Sequence, residues 1–192
     1  NVLAADARAH GDSEGTKIGM GWPERFDVIE WIKLIISWEP NAQIILHGVS
    51  MGAATVLMAS GEELPENVKA IIADCGYTSE WDEFKCEANA LHIPWFPVLN
   101  AASVMSRLRD GYDFKQASAL EKVKQSRIPT LFIHGSDDEL VPYSMLDKLY
   151  SAAVCKKECL TVNGAGHALS SSVEPELYWN TVESFIEKYS EK

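Results

Sequence analysis

The amino-acid sequence predicts an α/β protein with a mainly parallel sheet and helices on both faces. Two observations lead there. Short apolar runs alternate with longer segments of helical period, and the strands so separated need crossover connections, which is how parallel sheets are joined. With 46% hydrophobic residues in 192, the chain is also large enough to bury one core.

The elements follow in order. The run NVLAAD (Asn1 to Asp6) reads as a first strand. Trp22 to Trp38 reads as a helix, with Pro23 near its start, where a missing N–H costs nothing, and Phe26, Ile29, Ile32, Lys33 and Ile36 at helical spacing. Pro40 ends it. QIILHG (from Gln43) is the next strand, Met51 to Ser60 the next helix, and VKAIIAD, ending at Asp74, a further strand. TLFIHG (Thr130 to Gly135), a helix from Pro142 to Ala153, a short strand from Cys159 to Val162 and a helix from Pro175 to Lys188 complete the pattern. Between Asp74 and Ile128 the alternation stops and aromatic and proline residues crowd into ALHIPWFPVLN, which reads as an insertion. The expected organisation is one domain over residues 1–192, with a core of 1–75 and 128–192 and an insertion of about 76–127. There is no internal repeat, low-complexity tract or Gly/Ser linker.

A formal charge of -11, from 17 basic and 28 acidic residues, argues against nucleic acid as a partner, because phosphate binding depends on clustered Lys and Arg. No stretch has the apolar length of a membrane span, and the N-terminal residues lack a signal pattern. Cys75, Cys86, Cys155 and Cys159 are spaced as neither a dense disulfide framework nor a zinc site, so reduced thiols in the cytoplasm are expected. Cys155 and Cys159 read as packing residues. No metal or organic cofactor is expected, since there is no H-E-x-x-H, Walker loop or dinucleotide glycine motif.

The chemistry is expected where IILHG ends. Ligands of parallel sheets bind beyond the carboxyl ends of the strands, and Gly48-Val49-Ser50-Met51-Gly52 lies at such an end. A serine on a tight strand-to-helix turn needs small neighbours, so both Gly48 and Gly52 are expected to relieve a clash. The same turn aims the Met51 N–H, at a helix N-terminus, toward an oxyanion formed by attack of Ser50. A serine hydroxyl needs a base, and the base needs a carboxylate. Of five histidines, His10, His47 and His134 directly precede glycines near strand ends and His92 lies in the aromatic insertion. His167, in the glycine-rich NGAGHAL after the last short strand, can reach over the sheet end and is the expected base. Asp137 and Asp138, in HGSDDELVP, are the candidate acids, one of them a turn residue.

These motifs together resemble the α/β-hydrolase superfamily, in particular bacterial serine esterases and their prolyl-oligopeptidase-like and acyltransferase-like relatives. DARAHGDSEG (Asp6 to Gly15) looks like the family's D-x-R-G-H-G-x-S-x-G loop, GVSMG like its nucleophile elbow, HGSDDELVP like its acid loop and GAGH like its histidine loop. The resemblance implies that Ser50 is the nucleophile and selects Asp138 as the partner of His167. Ala9 stands where the family has glycine, a change expected to do no more than stiffen the loop. Family members also carry, ahead of the D-x-R loop, further strands and an H-G loop that supplies a second oxyanion donor. The chain therefore looks like the C-terminal part of a hydrolase with N-terminal strands missing, and is expected to be a poor catalyst alone and to self-associate through an exposed sheet edge.

The insertion sits where such hydrolases carry a helical lid. Trp81, Trp95 and Phe96, with Phe84, Leu91, Ile93, Leu99 and Met105, are candidates for an acyl-binding wall or for packing the lid onto the body. The implied activity is hydrolysis of a small-molecule carboxylic ester without a cofactor. Thioesterase, peptidase or acyltransferase chemistry, or a binding module of weak activity, would use the same residues.

Overall fold

Alternating apolar runs and helical segments resolve, in a computed structural model that describes residues 1–190, into four strands and eight helices. In chain order these are α1 (Glu24–Trp38), β1 (Ile44–Val49), α2 (Met51–Ala59), β2 (Val68–Asp74), α3 (Glu80–Ala90), α4 (Trp95–Asp110), α5 (Ala119–Val123), β3 (Thr130–Gly135), α6 (Ser144–Ala152), β4 (Lys157–Val162), α7 (Ser170–Val173) and α8 (Pro175–Tyr189). All strand pairs are parallel, in the order β1-β2-β3-β4. The register aligns Val49 with Asp74, Asp74 with Ile133, and Gly135 with Val162, so the carboxyl ends form one rim.

Helices cover both faces. On one, Leu57, Met58, Ile32, Phe132 and Leu149 form the larger core beneath α1, α2, α5 and α6. On the other, Tyr178, Val182 and Phe185 of α8 pack on Ile72, Leu131 and Ile133. All six residues of β3 are buried, as a strand covered on both faces requires. Helix α2 is apolar all round and buried from Ala53 to Ala59, so it behaves as a core helix.

Two expectations are corrected. NVLAAD forms no strand: residues 1–6 are exposed, and no partner lies beside them to complete a ladder. In α1, Ile32 is buried while Phe26, Trp31 and Trp38 are exposed. Cys159 does not pack: it is exposed on β4, which borders the sheet, whereas Cys155 rests half-buried against the larger core. All four cysteines are free thiols. The remaining boundaries differ from the sequence reading by a residue or two, the usual fraying of helix and strand ends. Between β2 and β3 the insertion folds as α3, α4 and α5.

Candidate active site

Ser50 is held in a backbone conformation that few residues tolerate, with φ 54° and ψ -117°. Its N–H donates to the Asp74 carbonyl at 2.9 Å and its own carbonyl accepts from Ala54 at 3.0 Å, so the turn is tied to β2 on one side and to α2 on the other. Gly48 is required by this geometry, because a Cβ there would lie 2.2 Å from the Gly52 carbonyl oxygen. Gly52 is not: a Cβ at that position meets nothing within 4 Å. The expectation of a clash at both glycines therefore holds at the first only: the Gly52 backbone lies against Gly48, while the direction of its own Cβ is open. Met51 opens α2, and its N–H belongs to the first turn, where no intrahelical acceptor exists.

The loop after β4 crosses the tip of β3 closely. A Cβ on Gly135 would sit 2.1 Å from the Ala165 carbonyl oxygen, and Asp137 N–H donates to that same oxygen at 3.0 Å. This crossing seats His167, whose Nε2 lies 2.7 Å from Ser50 Oγ and whose Nδ1 lies 2.9 Å from Asp138 Oδ2. Three side chains separated by up to 117 positions are thus in hydrogen-bond contact at one rim.

Asp138 is closely supported. Its Oδ1 accepts from the backbone N–H of Leu140 at 3.0 Å and of Val141 at 2.9 Å, and its Oδ2 also lies 3.2 Å from His134 Nε2. Burial alone would raise its pKa, but the hydrogen bonds from His134, His167 and Val141 outweigh that and hold it well below the usual carboxylate range. Asp137 turns outward and accepts from the Ser136 hydroxyl at 2.6 Å, the turn role open to either acid in the sequence. The bond to Asp138, and then the neighbouring Cys75 thiol, raise the His167 imidazole to about 10.

His134, Cys75 and Glu83 join this neighbourhood without having been singled out as part of it. His134 is fully buried and stands four residues before Asp138, a spacing that the strand-to-loop turn closes. Cys75 follows β2 with φ 47° and is buried beneath His167. Glu83, on α3, is 3% exposed, and burial first, then Glu87, push it up to about 7, with His167 opposing. No pattern in the sequence marks a glutamate on the polar face of a helix as buried. Among the described residues, Cys75, Asp138 and His167 bring three potential ligand atoms within 4.8 Å of one another. Two of the three already serve the contact with Ser50, so a metal there would compete with it.

Of the remaining histidines, His47 contacts the Tyr178 hydroxyl through Nε2 at 2.9 Å, and His10 contacts the Arg8 carbonyl at 2.9 Å. Trp81 and Trp95 meet edge to face at 6.4 Å and carry Lys115 and Lys85 over their rings. Phe96 follows at 65% exposure.

A parallel sheet with helices on both faces, bearing a strained serine at a strand tip, defines an α/β-hydrolase of the serine hydrolase class. The chain belongs to the prolyl oligopeptidase family, whose model matches residues 24–192. It is 30% identical over its full length to the uncharacterized protein YqkD of Bacillus subtilis, of which it spans 63%. It is 29% identical over 80% of its length to the lysophosphatidylserine lipase ABHD12 of Macaca fascicularis, of which it spans 38%. Among solved structures, the Pyrococcus furiosus esterase Pf2001 superposes with a TM-score of 0.74 at 23% identity, covering 96% of this chain and 69% of the esterase. An acylaminoacyl peptidase of Pyrococcus horikoshii superposes with a TM-score of 0.65 at 18% identity, covering 90% of this chain and 28% of the peptidase. The chain thus spans less than two thirds of the curated relatives named.

Proposed function

We propose that the protein hydrolyses carboxylic esters through an acyl-enzyme on Ser50. One observation carries the reading: Ser50 Oγ, on a turn with φ 54°, lies 2.7 Å from His167 Nε2 while Asp138 holds the other ring nitrogen. In this reading neutral His167 takes the Ser50 proton as the hydroxyl attacks the acyl carbon. Asp138 fixes the tautomer and stabilises the imidazolium, and the Met51 N–H donates to the oxyanion. The imidazolium protonates the departing alcohol. His167 then activates water, which releases the acid and restores Ser50. Trp81, Trp95 and Phe96 form part of an acyl-binding wall on a lid made by residues 76–127 of a single hydrolase domain. The four free thiols fit a reducing, cytoplasmic setting, and the open outer edge of β1, with His47 and Val49 exposed, fits pairing with a second copy.

Esterase chemistry is favoured by the likeness to an esterase and a lipase. The family match and the acylaminoacyl peptidase neighbour favour a second reading, amide hydrolysis by the same residues. A panel of p-nitrophenyl esters, acyl thioesters and aminoacyl amides separates them. Esters are expected to give the highest kcat/KM, and a preference for amides would overturn the ester reading.

A further inference from the structure

Helix α4 presents its apolar side to water. Its buried residues are Leu99, Ser103 and Ser106, and the two serines bind backbone: Phe114 N–H donates to Ser103 Oγ at 3.1 Å, and Ser106 Oγ donates to the Tyr112 carbonyl at 2.9 Å. The opposite stripe carries Val98 and Val104 at 59% exposure, Met105 at 63% and Leu108 at 78%. These positions share one face at helical spacing. A surface helix of a water-soluble domain ordinarily does the reverse. The stripe continues through Phe96, in the first turn of α4, to Leu91 ahead of the helix, both more than 60% exposed.

Charge indicates what covers this face. From Ala88 to Arg109 the chain has no carboxylate, although 28 of its 192 residues are acidic, a density at which these 22 positions would hold about three. The cations there are exposed: Arg109, and Arg107, which is 74% exposed and only loosely met by Asp113 at 3.8 Å. A second copy docked symmetrically on the same face would bring these arginines against one another. An apolar stripe flanked by two arginines and preceded by Trp95 and Phe96 instead shares the apolar, aromatic and cationic elements of helices that lie in a lipid interface.

We propose that α4 and the residues just before it dock on a lipid surface bearing anionic headgroups. Val98, Val104, Met105 and Leu108 enter the acyl boundary, and Arg107 and Arg109 meet headgroup phosphates. The substrates would then be acyl esters drawn from that surface, a step that rests on the ester reading above, whereas the docking does not.

The test is co-sedimentation of Ser50→Ala protein with phosphatidylcholine vesicles, with and without phosphatidylserine. Binding is expected to be about tenfold stronger when the anionic lipid is present. A Met105→Glu/Leu108→Glu variant should lose at least about tenfold in vesicle binding, and Arg107→Gln/Arg109→Gln should lose about 10- to 30-fold on anionic vesicles alone. Circular dichroism melting checks that each variant is folded, which the exposure of all four positions favours. Absence of vesicle binding, or equal binding by the folded Glu variant, would overturn the proposal. So would a concentration-dependent dimer abolished by that variant without vesicle binding, which would assign the face to a second copy. Because Ser50→Ala protein turns nothing over, vesicle binding together with inertness of the unaltered protein toward every ester would leave the docking standing and remove the ester reading.

Discussion

Asp138 at the rim and the two carboxylates at the start of α3, Glu80 and Glu83, are all buried, at 7%, 3% and 3% exposure. Burial pushes each toward the neutral form. Asp138 escapes because two backbone N–H groups and two imidazoles converge on it. Glu80 and Glu83 each keep an oxygen, Oε2, without a partner. Burial raises them to about 8 and about 7, with Glu24 adding to the first and Glu87 to the second. Burial alone therefore does not decide a carboxylate's charge. The donors around it do, and in the proposed mechanism the carboxylate that receives them is the one that steadies an imidazolium.

The largest expected effect breaks the first half of this comparison. Asp138→Asn removes the anion but keeps the shape, and should lower kcat on the order of 10³- to 10⁴-fold. The pH profile carries a sign. His167 is raised above its ordinary 6.5, so kcat/KM of the unaltered protein should climb with pH above 6.5 as the ring loses its proton. In Asp138→Asn that limb should move to lower pH. An unmoved limb would mean that Asp138 does not set the protonation of His167.

A smaller effect comes from the support of Asp138. His134→Ala removes an imidazole whose Nε2 is shared between the Val141 carbonyl at 2.9 Å and Asp138 Oδ2 at 3.2 Å, a loss of about 1–3 kcal/mol, or roughly 5- to 150-fold in kcat, with KM little changed. A rise in KM alone would place His134 against substrate instead.

Glu80→Gln and Glu83→Gln sharpen the other half. A carboxyl with a folded-state pKa above its unfolded value contributes stability that is complete below the unfolded pKa and is lost as pH rises through the folded one. The loss should therefore fall between about pH 4.5 and 8 for Glu80 and between about 4.5 and 7 for Glu83. Each glutamine should stabilise the fold at pH 8 by roughly 1–3 kcal/mol relative to the native residue and flatten the pH dependence. Urea unfolding at pH 5 and pH 8 measures it, and a native residue that is the more stable at pH 8 would contradict the assignment.

The smallest effect lies at Ala9, whose φ of 60° is in the left-handed region. Ala9→Gly should stabilise by about 1 kcal/mol, against the usual direction for that substitution. Thermal unfolding reads it, and a fall in Tm would show the strain to be absent. The sequence reading, by contrast, assigned Ala9 no strain.

What the sequence revealed follows from how local each signal is. β1 to β4 were legible because a run such as TLFIHG carries its own apolar signature, and the contact of Ser50 and His167 with an acid of HGSDDELVP because each stands in a short loop of distinctive spacing; the choice of Asp138 over Asp137 came from the family resemblance alone. NVLAAD was misread because apolar composition cannot report whether a partner strand lies alongside. The open space at Gly52, the inward Glu83 and the outward stripe of α4 all depend on which neighbour packs where, and residue spacing along a helix gives the face but not the side that meets the body. His134 was passed over because its contact with Asp138 is created by the turn between them.

The most direct test of the account is mass spectrometry after treatment with a fluorophosphonate. A single adduct on the peptide holding Ser50 is expected, and it should be lost or greatly slowed in His167→Ala. An adduct on another serine, or labelling of Ser50 at an undiminished rate without His167, would contradict the claim that His167 activates this hydroxyl.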